Sequence, residues 1–248
     1  MISIEFIILA TAVFVLAGSI KGTVGIGLPT AAIGILTQFT DARLAISLVA
    51  FPILFSNAWQ VYREGKIRQT LRDYWRFALA LMLMIAAMTF VTARIDERLL
   101  VMMLGIVILL FSLTNLISMP PRLPERYDAL AQWIAGTLAG VLGGITAIWA
   151  PPTVIYLMAR RVDKNEFVRA SGLLIFLGSI PLCIGFWNAG LLSGDTAMLS
   201  LAMVVPSLAG FSLGELLRRR LRAERFRKLV LLIFLVMGLN LIAKAILL

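Results

Sequence analysis

The residues able to do chemistry cluster at Lys21-Gly22-Thr23-Val24-Gly25-Ile26-Gly27. Glycines let successive backbone N–H groups turn toward one point, and a helix N-terminus adds partial positive charge, so such a run can cradle an anion. Lys21 contributes a full positive charge, and Thr23 and Thr30 place hydroxyls on either side. A second interruption, Ala147-Ile148-Trp149-Ala150-Pro151-Pro152, follows Gly143-Gly144 and lies between Thr146 and Thr153. The two belong together: a shift of 122 places Gly18 on Gly140, Gly22 on Gly144, Pro29 on Pro151 and Asp41 on Asp163. The same shift sets Gly143 against Lys21, Ala147 against Gly25 and Trp149 against Gly27. The expected site is therefore asymmetric. The first half supplies Lys21, Gly22, Thr23, Gly25, Gly27 and Thr30, and the second supplies Gly143, Gly144, Thr146, Trp149, Pro151 and Thr153.

Each of these residues has a plainer reading. Lys21 could snorkel from a helix end, and helix threonines commonly bond back to their own backbone. Trp149 suits an interfacial anchor as well as a cavity wall, and Pro151-Pro152 suits the start of any helix. For Asn57, Asn115, Asn188 and Asn240, hydrogen bonds between helices are the simpler role.

The elements that must position these residues are membrane spans. Of the 248 residues 60% are apolar and 15% charged, and mean hydropathy is +0.96. A soluble domain carries about 25% charge, and here the apolar residues form blocks near the roughly 20 needed to cross a bilayer. Soluble enzymes, secreted domains and disordered chains are excluded. Residues 4–39 as one helix would be about 54 Å long at 1.5 Å per residue, against a hydrocarbon core of roughly 30 Å. The segment must break, and the glycines mark the place. Residues 4–20 lack the basic start of a signal peptide and are expected to be retained.

Spans are expected at 44–62, 75–93 and 99–118, then, after a Pro-rich linker at 119–128, a broken segment at 129–158 and spans at 170–187, 197–214 and 226–247. This gives an all-α polytopic membrane protein of two homologous halves, 1–118 and 129–248. Each half has a broken or re-entrant helix pair followed by three transmembrane helices. Near the ends of the halves the shift is 125, where Asn115-Leu116-Ile117 falls on Asn240-Leu241-Ile242. If each broken segment returns to its own side, the halves are inverted repeats, and Lys and Arg divide 18 against 3 between the two sides. If each crosses once, the division is 14 against 7. The positive-inside rule favours inversion, with both termini outside a cytoplasmic membrane.

The formal charge of +10 belongs to these loops, Arg218 to Lys228 above all, so it sets orientation and no nucleic-acid partner is expected. Histidine is absent, and the only cysteine, Cys183, lies in an apolar block. These leave no Cys/His metal site, disulfide, axial-His haem or His proton relay. No cofactor is expected. All thirteen Asp and Glu fall at span ends or in loops, and there is no P-loop, so neither a buried carboxylate relay nor ATP hydrolysis is evident. Outward movement of an anion needs neither, since a monoanion gains about 2.3 kcal/mol per 100 mV, inside negative. The readings kept open are an anion permease, an anion channel or membrane subunit of a larger complex, and a membrane-embedded enzyme for which the residues are scarce. The partners expected are a small anion and the bilayer. A homodimer is allowed and nothing requires it.

The stretch Ala17-Gly18-Ser19-Ile20-Lys21-Gly22-Thr23-Val24-Gly25-Ile26-Gly27-Leu28-Pro29, echoed at Ala139-Gly140-Val141-Leu142-Gly143-Gly144 before Pro151, resembles the TauE/SafE sulfite-exporter family of prokaryotic permeases. The resemblance extends over nearly the whole chain, including Asp41 and Asp163 after each broken segment. It implies transport of sulfite, a sulfonate or a related anion. Many members carry a fuller glycine run in the second half, where this chain has Thr146 to Pro152.

Overall fold

A computed structural model describes residues 3–116, 120–220 and 223–247, with backbone alone at 218–220 and 223–227. The helices are α1 (Ile4–Val24), α2 (Leu28–Leu36), α3 (Ala42–Leu48), α4 (Ala50–Glu64), α5 (Ile67–Arg94) and α6 (Glu97–Leu116) in the first half. In the second are α7 (Asp128–Thr146), α8 (Ala150–Ala159), α9 (Lys164–Asn188), α10 (Gly194–Ala202), α11 (Val204–Arg220) and α12 (Ala223–Leu247). No strand occurs among the described residues. Eight stretches are long and apolar enough to cross a membrane, with α3–α4 and α10–α11 each making one of them. The protein is an all-α polytopic membrane protein. With 9 and 10 residues, α2 and α8 are about 14–15 Å long, half a bilayer core.

Local sequence explains where the helices start and stop. Asp41 accepts the Leu44 N–H at 2.7 Å, and Asp163 accepts those of Asn165 and Glu166 at 2.8 and 3.0 Å. These caps begin α3 and α9 two and six residues before the apolar blocks do. The two amides hold the Asp163 carboxyl below its usual range, so its cap is complete at neutral pH and is lost only as pH falls into acid. Helix α5 starts at Ile67, eight residues earlier than apolarity suggests, because Gly65-Lys66 makes the whole connection from α4, with positive φ at both residues. The second interruption is shorter than expected. Only residues 147–149 are non-helical, and Pro151 and Pro152 sit in the first turn of α8, where a missing N–H costs nothing. Of the expected linker, Met119 lies outside the described residues, a 3-10 turn covers Glu125–Tyr127, and α7 begins at Asp128. The side chains of the basic run at 218–227 also lie outside them.

Small residues set the packing. A Cβ on Gly18 would stand 2.9 Å from Phe211 N, and one on Gly22 2.9 Å from Glu215 N, so α1 and α11 touch backbone to backbone. Gly210 against Val15 and Gly214 against Ser19 complete the seam, and the advancing register makes the two helices parallel. This is the small-xxx-small contact that holds helices together in lipid, where no hydrophobic force separates one apolar helix from another. Helices α7 and α5 pack the same way: Gly136 meets Phe77, Gly140 meets Met84 and Gly144 meets Met88. In contrast α6 and α12 are antiparallel, with Gly105 on Ile242 and Gly238 on Leu109. So are α4 and α9, where Gln60 bonds Val168 O while Ala50 O accepts the Cys183 thiol. Exchanging the halves maps α1 on α11 onto α7 on α5 and returns α6 on α12 and α4 on α9 to themselves.

One end of the bundle gathers the termini of α4 and α8 with the starts of α5, α7 and α9. There Tyr74 hydroxyl bonds Glu166, and Tyr156 hydroxyl donates to Asp128 at 2.9 Å. Arg63, Lys66, Arg122, Arg126, Arg160, Arg161 and Lys164 lie at this end. At the other end Arg43 pairs with Glu97 at 3.0 Å, close to the α5–α6 turn.

Candidate functional site

Lys21 occupies the last turn of α1 and is 2% exposed. Its ammonium donates to Asn57 Oδ1 at 2.8 Å and Ser56 Oγ at 3.0 Å on α4, and lies 5.6 Å from the centre of the Phe211 ring on α11. All three neighbours are neutral. The ion pairs among the described residues are Arg43–Glu97, Arg63–Glu215 and Arg160–Asp128, so no carboxylate pairs with Lys21. Beside it is a cavity of about 40 Å³, walled by Lys21, Gly22 and Gly25 of the first segment and closed by Gln60, Val168 and Phe211. That volume holds roughly three waters, or a small oxyanion in their place. Arg63, Glu64 and Glu215 form its mouth, which places the opening at the arginine-rich end. Arg63 and Glu215 pair across it at 2.6 Å.

Gln60 adds a second unusual feature. Its Nε2 donates to Val168 O at 2.9 Å, which fixes which way the amide points, and its Oε1 is buried with no partner. A buried orphan acceptor costs about 1–3 kcal/mol, and it belongs to a residue that walls the cavity.

The backbone cradle is smaller than the glycines suggest. Gly25 turns α1 off with φ 94, but its N–H returns to Lys21 O at 2.7 Å and is spent on the helix cap. Gly27, with φ 103, faces Ile20, Phe111 and Phe234 rather than the cavity. Thr23 donates to Ser19 O and Ile20 O. The Thr30 hydroxyl is buried in the first turn of α2 and has no partner.

Residues of the second interruption do not line this cavity. There the space is filled: the Trp149 indole lies against Gly143 and Gly178, and a Cβ on Gly143 would come within 2.8 Å of it. Gly144 is used against Met88, and its carbonyl accepts the Thr92 hydroxyl at 2.6 Å. Thr146 and Thr153 bond back to Leu142 O and Trp149 O, while Pro151 lines an apolar groove elsewhere. Where the first half has a lysine beside a cavity, the second has a glycine covered by an indole. Removing that indole is expected to cost about 3–5 kcal/mol in Trp149→Ala. Since Trp149 Nε1 has no hydrogen-bond partner, Trp149→Phe is expected to lose far less. Thermal unfolding of the two variants in detergent measures the difference, and equal losses would show that packing is not what Trp149 contributes.

The sequence alone gives no site role to Ser56, Gln60, Arg63 or Phe211; it expects Glu215 to pair with an arginine, which Arg63 is, and Asn57 to bond between helices, which it does by accepting from Lys21. One signal was available: Ser56, Asn57 and Gln60 share one α4 face at helical spacing, an unusual polar density for a span.

Eight spans, two of them followed by an interruption and a half-length helix, with a buried lysine beside a small polar cavity, make a multi-pass membrane protein, and the match to a family of permeases puts it in the transporter class. The family model described as sulfite exporter TauE/SafE matches residues 10–241, and the chain belongs to that family. Its members are permeases for sulfite and related organosulfur anions in the prokaryotic inner membrane, not enzymes. No curated protein and no solved structure matches the chain.

Proposed function

We propose that this chain is a secondary permease for a small anion, sulfite, a sulfonate or a close relative, and that Lys21 binds it in the cavity between α1, α4 and α11. The observation that carries the reading is a buried ammonium held only by neutral oxygens, next to a space of oxyanion size. An ammonium left without a counter-charge in low dielectric gains strongly from an arriving anion.

The two halves act as inverted repeats. The antiparallel packing of α6 on α12 and of α4 on α9 supports this, as does the exchange of partners between α1, α11, α7 and α5. By the positive-inside rule the arginine-rich end is cytoplasmic and both termini are outside. The Lys21 cavity then opens to the cytoplasm while Trp149 fills its counterpart, an arrangement suited to alternating access in which the halves rock against each other. Export of a monoanion proceeds down the membrane potential without a coupling ion.

Substrate-dependent current in proteoliposomes tests the reading, with sulfite, sulfoacetate, taurine and a non-sulfur carboxylate as probes. Saturable outward anion flux is the expected result. Current that rises linearly with concentration would mean a channel, and flux only under a proton gradient would overturn potential-driven export. At the mouth, Glu215→Gln frees Arg63 and removes a negative charge from the anion's path. KM is expected to fall several-fold at low ionic strength, with the difference shrinking in high salt. A KM unmoved by either change places the path elsewhere.

A further inference from the structure

An apolar groove of about 550 Å³ lies on the outer face of the second half, between α6, α7 and α8. On α7 it runs from Ala131 to Leu142, about 17 Å at 1.5 Å per residue, and on α8 from Ala159 back to Pro151. That is close to one leaflet of a 30 Å hydrocarbon core. Its walls include Leu138, 54% exposed, and Ile155, 41% exposed, so it faces the membrane rather than the interior.

The groove does not end blindly. At the arginine-rich end Leu123 is shared with a second pocket of about 300 Å³, whose other walls are Arg122, Glu125, Asp128 and Arg160. Asp128 is already satisfied inside the protein, by Tyr156 hydroxyl at 2.9 Å and Gln132 Nε2 at 2.8 Å, and its contact with Arg160 is long, 3.5 Å. Arg122 is exposed, and no hydrogen bond or ion pair holds it among the described residues. The corresponding helices of the opposite half are tied together. There α2 is tied to α12 by Asn240 to Gln38 at 2.7 Å and by Lys244 to Thr37 O at 2.8 Å.

We propose that this composite site binds one glycerophospholipid of the leaflet on the arginine-rich side. An acyl chain fills the α6–α7–α8 groove, and the phosphodiester lies between Arg122 and Arg160. Guanidinium groups suit phosphate through paired N–H donors, and an apolar groove of leaflet depth in the same wall suits a chain and nothing water-soluble. The site abuts α8, which follows the second interruption, so the lipid supports the half-helix that Trp149 caps. This holds whatever the permease carries.

Native mass spectrometry of the detergent-purified protein, titrated with phosphatidylglycerol, is the test. One lipid is expected to bind with preference over diacylglycerol, which lacks the phosphate, and over glycerophosphoglycerol, which lacks the chains. Arg122→Ala is expected to weaken binding about tenfold, and Ala135→Phe, which fills the groove with both arginines intact, by at least as much. Both variants should keep the thermal unfolding of the lipid-free protein. Equal binding of diacylglycerol, or displacement by inorganic phosphate alone, would overturn the proposal. So would a dimer that Ala135→Phe dissociates, which would make the groove a contact between two copies of the chain.

Discussion

Lys21→Met is expected to abolish saturable anion flux, with kcat/KM down at least 100-fold and the protein still folded. The methionine nearly matches lysine in length and fills the space under Phe211, so the change removes charge and little volume. Ser56 and Asn57 keep helix partners, Ser56 Oγ to Ile53 O at 3.4 Å and Asn57 Nδ2 to the same carbonyl at 2.7 Å, and the Asn57 Oδ1 left without a donor costs about 1–3 kcal/mol of stability, which leaves a chain of eight spans folded. The loss should therefore fall on the bound anion. A charge-assisted contact in a buried site is worth about 3 kcal/mol or more, and each 1.36 kcal/mol is tenfold in rate. Lys21→Arg is the discriminating companion. It keeps the charge but brings a planar group that a cavity of about 40 Å³ holds poorly, so a partial recovery of flux with raised KM is expected. Wild-type flux in Lys21→Met, measured in the same proteoliposomes, would remove Lys21 from the transport path.

The largest expected effect on stability is at the α1–α11 seam. Gly18→Leu places a side chain where Phe211 N would be 2.9 Å from the Cβ alone, with the Ser207 carbonyl nearer still. The obstacles are main-chain atoms inside helices, which have no rotamer to change, so the helices must separate along their length. Overpacking a well-filled core costs about 1–3 kcal/mol when side chains can shift. Here they cannot, and loss of the monodisperse folded protein is expected. Gly140→Leu should behave alike, because it meets Met84 Cβ at 2.5 Å and Leu81 O at 2.8 Å, atoms that are equally fixed by the facing helix. Leu83→Ala, at a lipid-facing position 59% exposed, provides the baseline and should stay within about 0.5 kcal/mol. Thermal unfolding of the three proteins in detergent orders them. Equal melting of Gly18→Leu and Leu83→Ala would mean that the backbone seam is not as close as described.

The outcome for individual residues shows what kind of information a sequence carries. Apolar block length and glycine placement put the first interruption within 21–27, because a bilayer of fixed thickness leaves few other solutions for residues 4–39; the structure narrows it to 25–27, with α1 running on through Val24. The same reasoning overextended the second interruption, since Pro151 and Pro152 read equally well as a break and as a helix start, and only the local backbone separates the two. It missed α10 as a separate piece, which α11 continues after Met203. Span starts were late wherever a polar cap or a tight turn, Asp41, Gly65-Lys66 or Asp163, begins the helix before its apolar part. The site was partly legible. Lys21, Gly22 and Gly25 line one cavity, whereas the expected share of Gly143, Gly144, Thr146, Trp149, Pro151 and Thr153 lies elsewhere. Symmetry between halves predicts equivalent positions, but it does not predict which residues meet across them.

The sequence by itself determined the membrane class, the order of two broken segments each followed by three spans, and the cation in the first broken segment, because these follow from hydropathy and bilayer thickness acting locally along the chain. Tertiary structure decided what surrounds that cation. Ser56 and Asn57 come from α4, Phe211 from α11 and Val168 from α9, segments far apart in the chain that meet only because the glycine seams let α1 approach α11 to backbone distance. The same packing set the indole of Trp149 over Gly143 and so left one of two related positions open. A contact of that kind depends on helix register and direction, which apolar residues facing lipid on every side do not encode.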